Sequence, residues 1–163
     1  MKQEQSASVM IVSTTDKALG FFQKILPKDQ FYPLTWVHSA GEAQRELVNK
    51  SVDIVVINAP LKDEMGTELA IELAQNNSCG VMMMVKNDVY EQVSYKVEEY
   101  GVLTLPRPCT AQQAFQTMKQ SDSRKIGAAL IKLGWRKGSD AEKRKCGPYG
   151  TQRVYFNPDV KQP

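Results

Sequence analysis

The stretch VDIVVINAP at residues 52–60 decides the fold of this chain. The run from Ile54 to Ile57 is apolar and β-branched throughout, which is typical of a strand buried on both faces of a parallel sheet. Pro60 ends the run, because proline cannot continue a central strand. The polar residue Asn58 therefore lies at the carboxyl end of a buried strand, where open α/β sheets place their functional groups.

The segments on either side of this stretch alternate between strands and helices up to about residue 118. Strands are predicted at residues 9–12, 34–37, 52–58, 80–85 and 102–105, and helices at residues 16–26, 41–49, 64–75, 89–100 and 110–119. Such alternation requires a parallel sheet covered on both faces by right-handed crossovers. Five units predict a flavodoxin-like (CheY-like) doubly wound α/β fold with a five-stranded parallel sheet in the order 2-1-3-4-5. Ser39 and Glu42 are spaced as a capping box for the second helix.

The charge of the chain is divided unevenly along its length. Residues 1–118 hold 10 Lys and Arg against 14 Asp and Glu, a balance of −4, whereas residues 119–163 hold 11 against 4, a balance of +7. We therefore expect a domain over residues 1–120 and a basic extension over residues 121–163, whose natural partner is a polyanion.

The basic extension has a secondary-structure pattern of its own. A polar seam at residues 119–125 is followed by the apolar stripe of a helix over residues 126–135. A short hairpin is predicted next, with residues 147–150 as its turn and residues 154–156 as its returning strand.

Composition favours a soluble cytoplasmic protein. No apolar run approaches the roughly 20 residues that span a bilayer, and the polar amino terminus lacks a signal core, so neither membrane association nor export is expected. Cys79, Cys109 and Cys146 form no close pair, which gives no indication of a disulfide framework or metal site, and no cofactor is predicted. Cys109 opens the fifth helix, a position that lowers the pKa of a thiol.

The residues that follow the predicted strands form one candidate pocket. It comprises Ser13 and Thr14 after strand one, Asn58 after strand three, Val85 or Lys86 after strand four, and Arg107 with Pro108 after strand five. Lys86 and Arg107 are either solvated charges or lie near Asn58 and replace the charge of a metal ion. Asn58 is alternatively a simple turn residue at a strand end.

In this layout residues 8–120 resemble the receiver domain of response regulators. A phosphorylatable receiver has an acidic pair after strand one for magnesium, an acceptor aspartate after strand three, a hydroxyl residue after strand four and a lysine–proline pair after strand five. The resemblance implies that Asn58 stands at the acceptor position and that residues 13–15, Ser-Thr-Thr, replace the acidic pair. It also implies a cis peptide bond before Pro108. The chain thus resembles a pseudo-receiver that is neither phosphorylated nor an enzyme.

Two finer resemblances concern particular segments. Residues 57–61 and 100–108 are similar to the degenerate receivers of ANTAR-type antitermination regulators, but the long RNA-binding coiled-coil helix of those proteins has no counterpart after residue 120. Residues 126–135 and 152–156, with the basic stretch between them, resemble the last helix and wing of winged-helix modules, such as the tails of phage and plasmid replication proteins.

Basic and aromatic residues are interleaved in the extension, which is the pattern of a nucleic-acid contact or of a merely solvated tail. The candidate residues for DNA or RNA are Lys132, Trp135, Arg136, Lys137, Lys143, Arg144, Lys145 and Arg153. We therefore expect a phosphorylation-independent relative of two-component response regulators that acts in signal transduction and transcription regulation.

Two alternatives remain open at this point. One is a protein-interaction module that forms a homodimer through the face of helix four, strand five and helix five. The other is a flavodoxin-like cofactor-binding protein, in which the loop at residues 13–17 would hold an anion at a helix amino terminus.

Overall fold

The structure, a computed structural model, describes residues 6–76 and 79–132 and the pairs 136–137, 144–145, 151–152 and 155–156. The chain divides into two compact units, residues 1–123 and residues 124–163. Among the described residues, no helix combines the length and the apolar character that crossing a membrane requires.

Five parallel strands form the sheet of the first unit in the order β2-β1-β3-β4-β5, which confirms the predicted fold class. The strands are β1 (Ala7–Val12), β2 (Phe31–Val37), β3 (Ile54–Asn58), β4 (Gly80–Lys86) and β5 (Leu103–Arg107). Strand β2 begins three residues earlier than predicted and contains Pro33. Because β2 lies at the edge of the sheet, a residue without a backbone N–H is tolerated in it.

Five helices cover the two faces of this sheet. They are α1 (Lys17–Ile25), α2 (Ala40–Asn49), α3 (Thr67–Asn76), α4 (Tyr90–Val97) and α5 (Ala111–Lys132), with 3₁₀ turns at Asn87–Val89 and Glu98–Tyr100 on either side of α4. The predicted cap of α2 is confirmed, since Ser39 Oγ accepts a hydrogen bond from the Glu42 N–H at 3.2 Å.

Alternate strand residues pack on opposite faces of the sheet. Val55 and Ile57 of β3 belong to a buried cluster with residues of α2, α3 and α4. Ile54 and Val56 belong to a second cluster with residues of α1 and α5. All four side chains are fully buried, as the continuous apolar run of β3 predicts.

Helix α5 is longer than predicted. The sequence pattern indicates a break at residues 119–125 and a separate helix over residues 126–135, but α5 continues without interruption from Ala111 to Lys132. The predicted break was wrong because polarity alone does not end a helix. The seam contains neither proline nor glycine, and its Lys, Gln and Arg residues are good helix formers. Ser121, within the seam, is fully buried.

The described residues of the second unit include two antiparallel strand pairs. Strand β6 (Arg136–Lys137) pairs with β9 (Tyr155–Phe156), and β7 (Arg144–Lys145) pairs with β8 (Thr151–Gln152). The predicted returning strand of the hairpin was wrong: the strand that follows residues 147–150 and pairs with β7 is β8, whereas β9, within the predicted residues 154–156, pairs with β6. The predicted turn at residues 147–150 lies outside the described residues.

Replacing Gly80 with alanine should destabilise the first unit. A Cβ atom at Gly80 would lie 2.3 Å from the backbone oxygen of Ser121, so β4 or α5 would have to shift. We expect a loss of about 1–3 kcal/mol in the free energy of unfolding, as for other overpacked sites, measured by urea denaturation.

Gly20 is the matched control, because it lies within α1 and a Cβ atom there has no neighbour within 4 Å. Gly20→Ala should stabilise the protein by roughly 0.5–1 kcal/mol through helix propensity. Equal stability of the Gly80→Ala variant and the unchanged protein would show that α5 does not approach β4 this closely.

Candidate functional site at the carboxyl edge of the sheet

The polar residues that end the strands share one face of the sheet. Because strand residues alternate between faces, Asn58 falls on the same side as Ile54 and Val56, which is the side covered by α1 and α5. The same count places Lys86 at the end of β4 and Arg107 at the end of β5 on that side.

Ser13, directly after β1, is hydrogen-bonded to neighbouring segments and so fixes the end of this strand. Its Oγ accepts hydrogen bonds from Asn58 Nδ2 at 3.1 Å and from the Thr15 N–H at 3.3 Å. Its backbone carbonyl accepts a bond from Trp36 Nε1 at 2.9 Å, and its own N–H donates to the Val37 carbonyl at 3.0 Å. The side chain is fully buried. Ser13 therefore joins β1 to β2 and β3 at this edge.

Arg107 forms the other link across the edge. Its Nη2 donates a hydrogen bond to the backbone carbonyl of Ala59, the residue after Asn58, so the guanidinium reaches from β5 past β4 to the end of β3. Arg107 is also the register partner of Lys86, which is exposed. The peptide bond between Arg107 and Pro108 is cis, as predicted.

Two buried polar atoms at the edge have no hydrogen-bond partner within the described part of the chain. They are Asn58 Oδ1, an acceptor, and Arg107 Nε, a donor. Both belong to side chains that are otherwise bonded to neighbouring strands. Asn58 Nδ2 and Arg107 Nη2 thus hold the edge together through hydrogen bonds. The acceptor Asn58 Oδ1 and the donor Arg107 Nε are the buried atoms of these side chains that remain without a partner in the described part of the chain.

The remaining predicted pocket residues are placed differently. Val85 is buried in the cluster on the α2, α3 and α4 side, so the structure does not bring its side chain to Asn58. Thr14 and Pro108 are exposed. Of the pocket predicted from sequence, Ser13 and Asn58 are hydrogen-bonded to each other, Arg107 is hydrogen-bonded to Ala59 next to Asn58, and Lys86 is the register partner of Arg107.

These residues do not fit a magnesium ion. Magnesium is held in proteins by carboxylates with several water molecules, whereas Ser13, Asn58 and Arg107 supply a hydroxyl, an amide and a cation. Asp16 is exposed and its side chain makes no cap hydrogen bond at α1. Among the described residues, no group of three or more His, Cys, Asp or Glu side chains is placed to hold a metal ion.

An acidic contact next to the site was not predicted from sequence. Asp63, in the loop after β3, accepts hydrogen bonds from the N–H groups of Ala40 and Gly41, both at 3.0 Å. These bonds, that of Gly41 first, lower the pKa of the Asp63 carboxyl. The loop that follows Asn58 is therefore tied to the amino terminus of α2. No local motif could reveal this, because Asp63 lies more than 20 residues from its partners.

Glu42 completes the cap of α2 in a variant of the predicted box. Its carboxylate accepts a hydrogen bond from the backbone N–H of His38 at 2.6 Å and lies 3.0 Å from His38 Nδ1, rather than bonding the N–H of Ser39. The backbone bond to His38 is the main reason that the pKa of Glu42 is lowered.

The environment of Cys109 differs from the expectation. Burial raises the pKa of its thiol, and the positive charge of Arg107 only partly opposes this. The expected lowering was wrong, because removal of the thiol from water outweighs the charge of Arg107 and α5 begins only at Ala111.

The basic residues of the extension are only partly described. Lys132 lies in α5, Arg136 and Lys137 form β6, and Arg144 and Lys145 form β7. Trp135, Lys143 and Arg153 lie outside the described residues.

The comparisons with known proteins give a fold and no family. The sequence matches no protein-family model, and no curated protein matches it. Solved structures do match. The signal receiver domain of an HD domain-containing protein from Pseudomonas fluorescens superimposes with a TM-score of 0.68 at 19% identity, covering 79% of this chain and 96% of that one.

Two further matches are of the same kind. A CheY-like response regulator receiver domain protein from Methanospirillum hungatei has a TM-score of 0.63 at 16% identity and covers 76% of this chain and 99% of its own. The receiver domain of a histidine kinase from Syntrophus aciditrophicus has a TM-score of 0.62 at 17% identity, covering 72% and 91%. The first unit has the receiver-domain fold.

Acid should weaken the tie between Asp63 and α2. Both Asp63 and Glu42 have pKa values below their ordinary values of 3.8 and 4.5, so the folded state binds these protons less readily than the unfolded state. Their contribution to stability is present above those ordinary values and is lost as the pH falls through the folded pKa values.

We therefore expect Asp63→Asn to reduce the dependence of the unfolding midpoint on pH below pH 4.5, measured by thermal denaturation across an acid series. Asp29→Asn, at an exposed carboxylate in the turn after α1, is the matched control and should leave the acid dependence nearly unchanged. The same acid dependence in the Asp63→Asn variant as in the unchanged protein would contradict the assignment.

Proposed function

We propose that this chain is a signalling protein with a receiver fold that acts without phosphorylation of an aspartate and without catalysing a reaction. The observation that carries the proposal is the hydrogen bond from Asn58 Nδ2 to Ser13 Oγ, together with the contact of Arg107 to Ala59. These contacts put neutral groups and one cation where a phosphorylatable receiver needs carboxylates. The expected cytoplasmic location is part of the same proposal.

The chemistry of these groups supports the first part of the proposal. The amide of Asn58 has no nucleophilic oxygen comparable to a carboxylate, and its Nδ2 is engaged with Ser13. The guanidinium of Arg107 supplies a positive charge at the strand ends, where a metal ion would otherwise do so. A second positive ion would be repelled, and within the described part of the chain no carboxylate is hydrogen-bonded to Asn58 to offset the repulsion. The arrangement therefore requires neither metal nor phosphoryl group.

Phosphodonors should leave this protein unmodified. Trp36 is a suitable reporter, because its indole N–H donates to the Ser13 carbonyl within the site. In a Trp135→Phe background, acetyl phosphate or beryllofluoride with magnesium should change neither the mass nor the fluorescence, whereas a phosphorylatable receiver treated in parallel should respond.

Asn58→Asp alone should also remain unmodified, because residues 13–15 still supply no carboxylate for magnesium. An increase in mass by one phosphoryl group, lost in alkali, in the unchanged protein would refute the proposal.

The gene-regulatory part of the proposal rests on the basic extension. Residues 119–163 carry a balance of +7 against −4 for residues 1–118. Two Arg–Lys pairs form strands β6 and β7, so four cations lie on paired backbone. Each phosphate that is contacted releases condensed counterions, which favours binding of such a segment to nucleic acid. The resemblance of the extension to part of a winged helix agrees with this role.

Nucleic-acid binding should depend strongly on salt and on the extension. With four to six phosphate contacts, log affinity should fall with log salt at a slope of roughly −3 to −5 for a duplex. Replacing Arg136, Lys137 and Arg153 with alanine should flatten the slope, as measured by fluorescence anisotropy. The matched control removes three exposed lysines of the first unit, Lys24, Lys28 and Lys62, and should leave the slope nearly unchanged.

Absence of binding at about 50 mM salt, where such binding is strong, would refute the nucleic-acid part of the proposal. A protein-interaction module is then the better account. Tyr95 on α4 is 86% exposed and Tyr100 is 36% exposed, next to the edge strand β5, which favours a dimer through the face of α4, β5 and α5. Sedimentation at the same protein concentrations distinguishes the two, since the interaction module requires a dimer mass without bound nucleic acid.

The flavodoxin-like alternative is less well supported. Ser13 Oγ, which would contact a phosphate in the loop at residues 13–17, already accepts hydrogen bonds from Thr15 and Asn58. Because the N–H of Thr15 and Nδ2 of Asn58 donate to Ser13, these two donors are not free to contact an anion.

A further inference from the structure

The chain's single histidine, His38, is connected by contacts to the strand-end site, which is formed by Ser13, Asn58 and Arg107. The His38 ring packs against the indole of Trp36, with ring centroids 4.2 Å apart and planes tilted by 42°. The indole Nε1 donates a hydrogen bond to the Ser13 carbonyl at 2.9 Å, and Ser13 Oγ accepts one from Asn58 Nδ2 at 3.1 Å. His38 is exposed, Trp36 is half-buried and Ser13 is fully buried. These contacts therefore lead from solvent to the site.

Glu42 holds both the backbone and the ring of His38 through one carboxylate oxygen. Its Oε2 accepts a hydrogen bond from the His38 backbone N–H at 2.6 Å and lies 3.0 Å from His38 Nδ1. Neutral imidazole carries a proton on one of its two nitrogens, whereas imidazolium carries a proton on both. The protonated ring is thus always a donor to this oxygen, and the hydrogen bond is then charge-assisted.

The indole of Trp36 also responds to the charge of His38. A cation within about 6 Å of an aromatic centroid is attracted to the ring face, most strongly for tryptophan. The separation of 4.2 Å between the His38 and Trp36 rings is well inside this range. A protonated His38 is therefore attracted to Glu42 and to Trp36 at once, and it holds the indole where its N–H meets the Ser13 carbonyl.

The two carboxylates bonded to the start of α2 and to the residue before it keep their charge while a histidine titrates. The ordinary charge change of histidine falls between pH 5 and 8. The pKa values of Glu42 and Asp63 are lowered from 4.5 and 3.8, each mainly by a hydrogen bond from a backbone N–H, so both stay ionised over this interval. Further charged groups on the elements around His38 are Arg45 of α2, Asp16 and Lys17 of the loop after β1, and Lys62 and Glu64 of the loop after β3.

We propose that the protonation of His38 regulates the strand-end site. The imidazolium holds the Trp36 indole against the Ser13 carbonyl, and loss of the proton loosens Ser13 and its bond to Asn58. The contacts at this edge of the sheet are therefore tighter at pH 5 than at pH 8. The inference rests on the proposed function for its meaning in signalling, and it supplies a proton as the signal in place of a phosphoryl group.

The test follows the site by nuclear magnetic resonance of the full-length protein between pH 5 and 8. The readouts are the Thr15 backbone N–H and the Asn58 side-chain N–H, since both donate to Ser13 Oγ. Their hydrogen exchange, corrected for the intrinsic effect of pH, should be about 2- to 5-fold slower at pH 5 than at pH 8, which is the range expected of an exposed cation–aromatic contact.

Variants of His38 and Trp36 separate the proton from the ring contact. His38→Phe keeps an aromatic ring and His38→Gln removes it, and in both the pH dependence of exchange should disappear, because neither side chain is protonated in this interval. Trp36→Phe keeps a ring but has no N–H for the Ser13 carbonyl, so His38 should still titrate without an effect at the site. Glu46→Gln, at the exposed Glu46–Lys50 pair of α2, is the matched control and should retain the full pH dependence.

The inference and the function on which it rests fail on different results. Exchange at Thr15 and Asn58 that does not change with pH while His38 titrates overturns the inference. So does pH dependence that persists in folded His38→Phe or Trp36→Phe protein. Transfer of a phosphoryl group from acetyl phosphate to the unchanged protein, with the pH dependence intact, overturns the proposed function and leaves the coupling of His38 to the site standing.

Discussion

The carboxyl edge of the sheet depends on the buried Ser13, which follows β1 and is hydrogen-bonded to both β2 and β3 through its backbone and its hydroxyl group. A carboxylate buried at this position would need a metal ion or a paired cation, because an isolated charge is costly to remove from water. A serine needs only hydrogen bonds, and the amide of Asn58 supplies one of them. Two neutral side chains thus stabilise each other where a receiver with an acidic pair requires an ion.

The hydrogen bond of Arg107 agrees with a site that contains no carboxylate. Its guanidinium is directed to the backbone carbonyl of Ala59 and not to a carboxylate, since Asn58 offers none. Carbonyl groups at the ends of parallel strands carry partial negative charge, so they stabilise a cation that has lost part of its hydration. The strand ends are therefore joined from β1 to β3 by Ser13 and from β3 to β5 by Arg107, while Asn58 Oδ1 and Arg107 Nε have no hydrogen-bond partner among the described residues.

The sequence predicts the fold better than it predicts the contacts. Apolar runs predict all five strands, most clearly the central strands β1, β3 and β4, which are buried on both faces, and the alternation of strands with helices predicts their order. The same patterns misplace the end of α5, since the buried Ser121 is indistinguishable from a solvated serine in a polar seam. They also leave Val85 and Lys86 as equal candidates, which only the alternation of β4 separates.

Contacts between distant segments are beyond such patterns. Asp63 caps α2 from a loop more than 20 residues away. The short polar stretch of sequence around it is like that of any surface loop. The pairing of β6 with β9 is likewise a contact between segments that are separated in the sequence. A returning strand at residues 154–156 follows from local propensity, but its partner across the ribbon does not.

The proposed absence of a phosphoryl switch would limit how a protein with this fold can be regulated. A ligand shifts a conformational equilibrium only by the difference in its affinity for the two states. The contacts that hold Ser13, Asn58 and Arg107 are internal, so a signal has to act through a surface that changes between states. The loop after β3 meets this requirement, because it starts next to Asn58 and is bonded through Asp63 to the start of α2. A partner that displaces Asp63 would remove two hydrogen bonds at the start of α2 and free the loop after β3 from that helix, without any chemistry at Asn58.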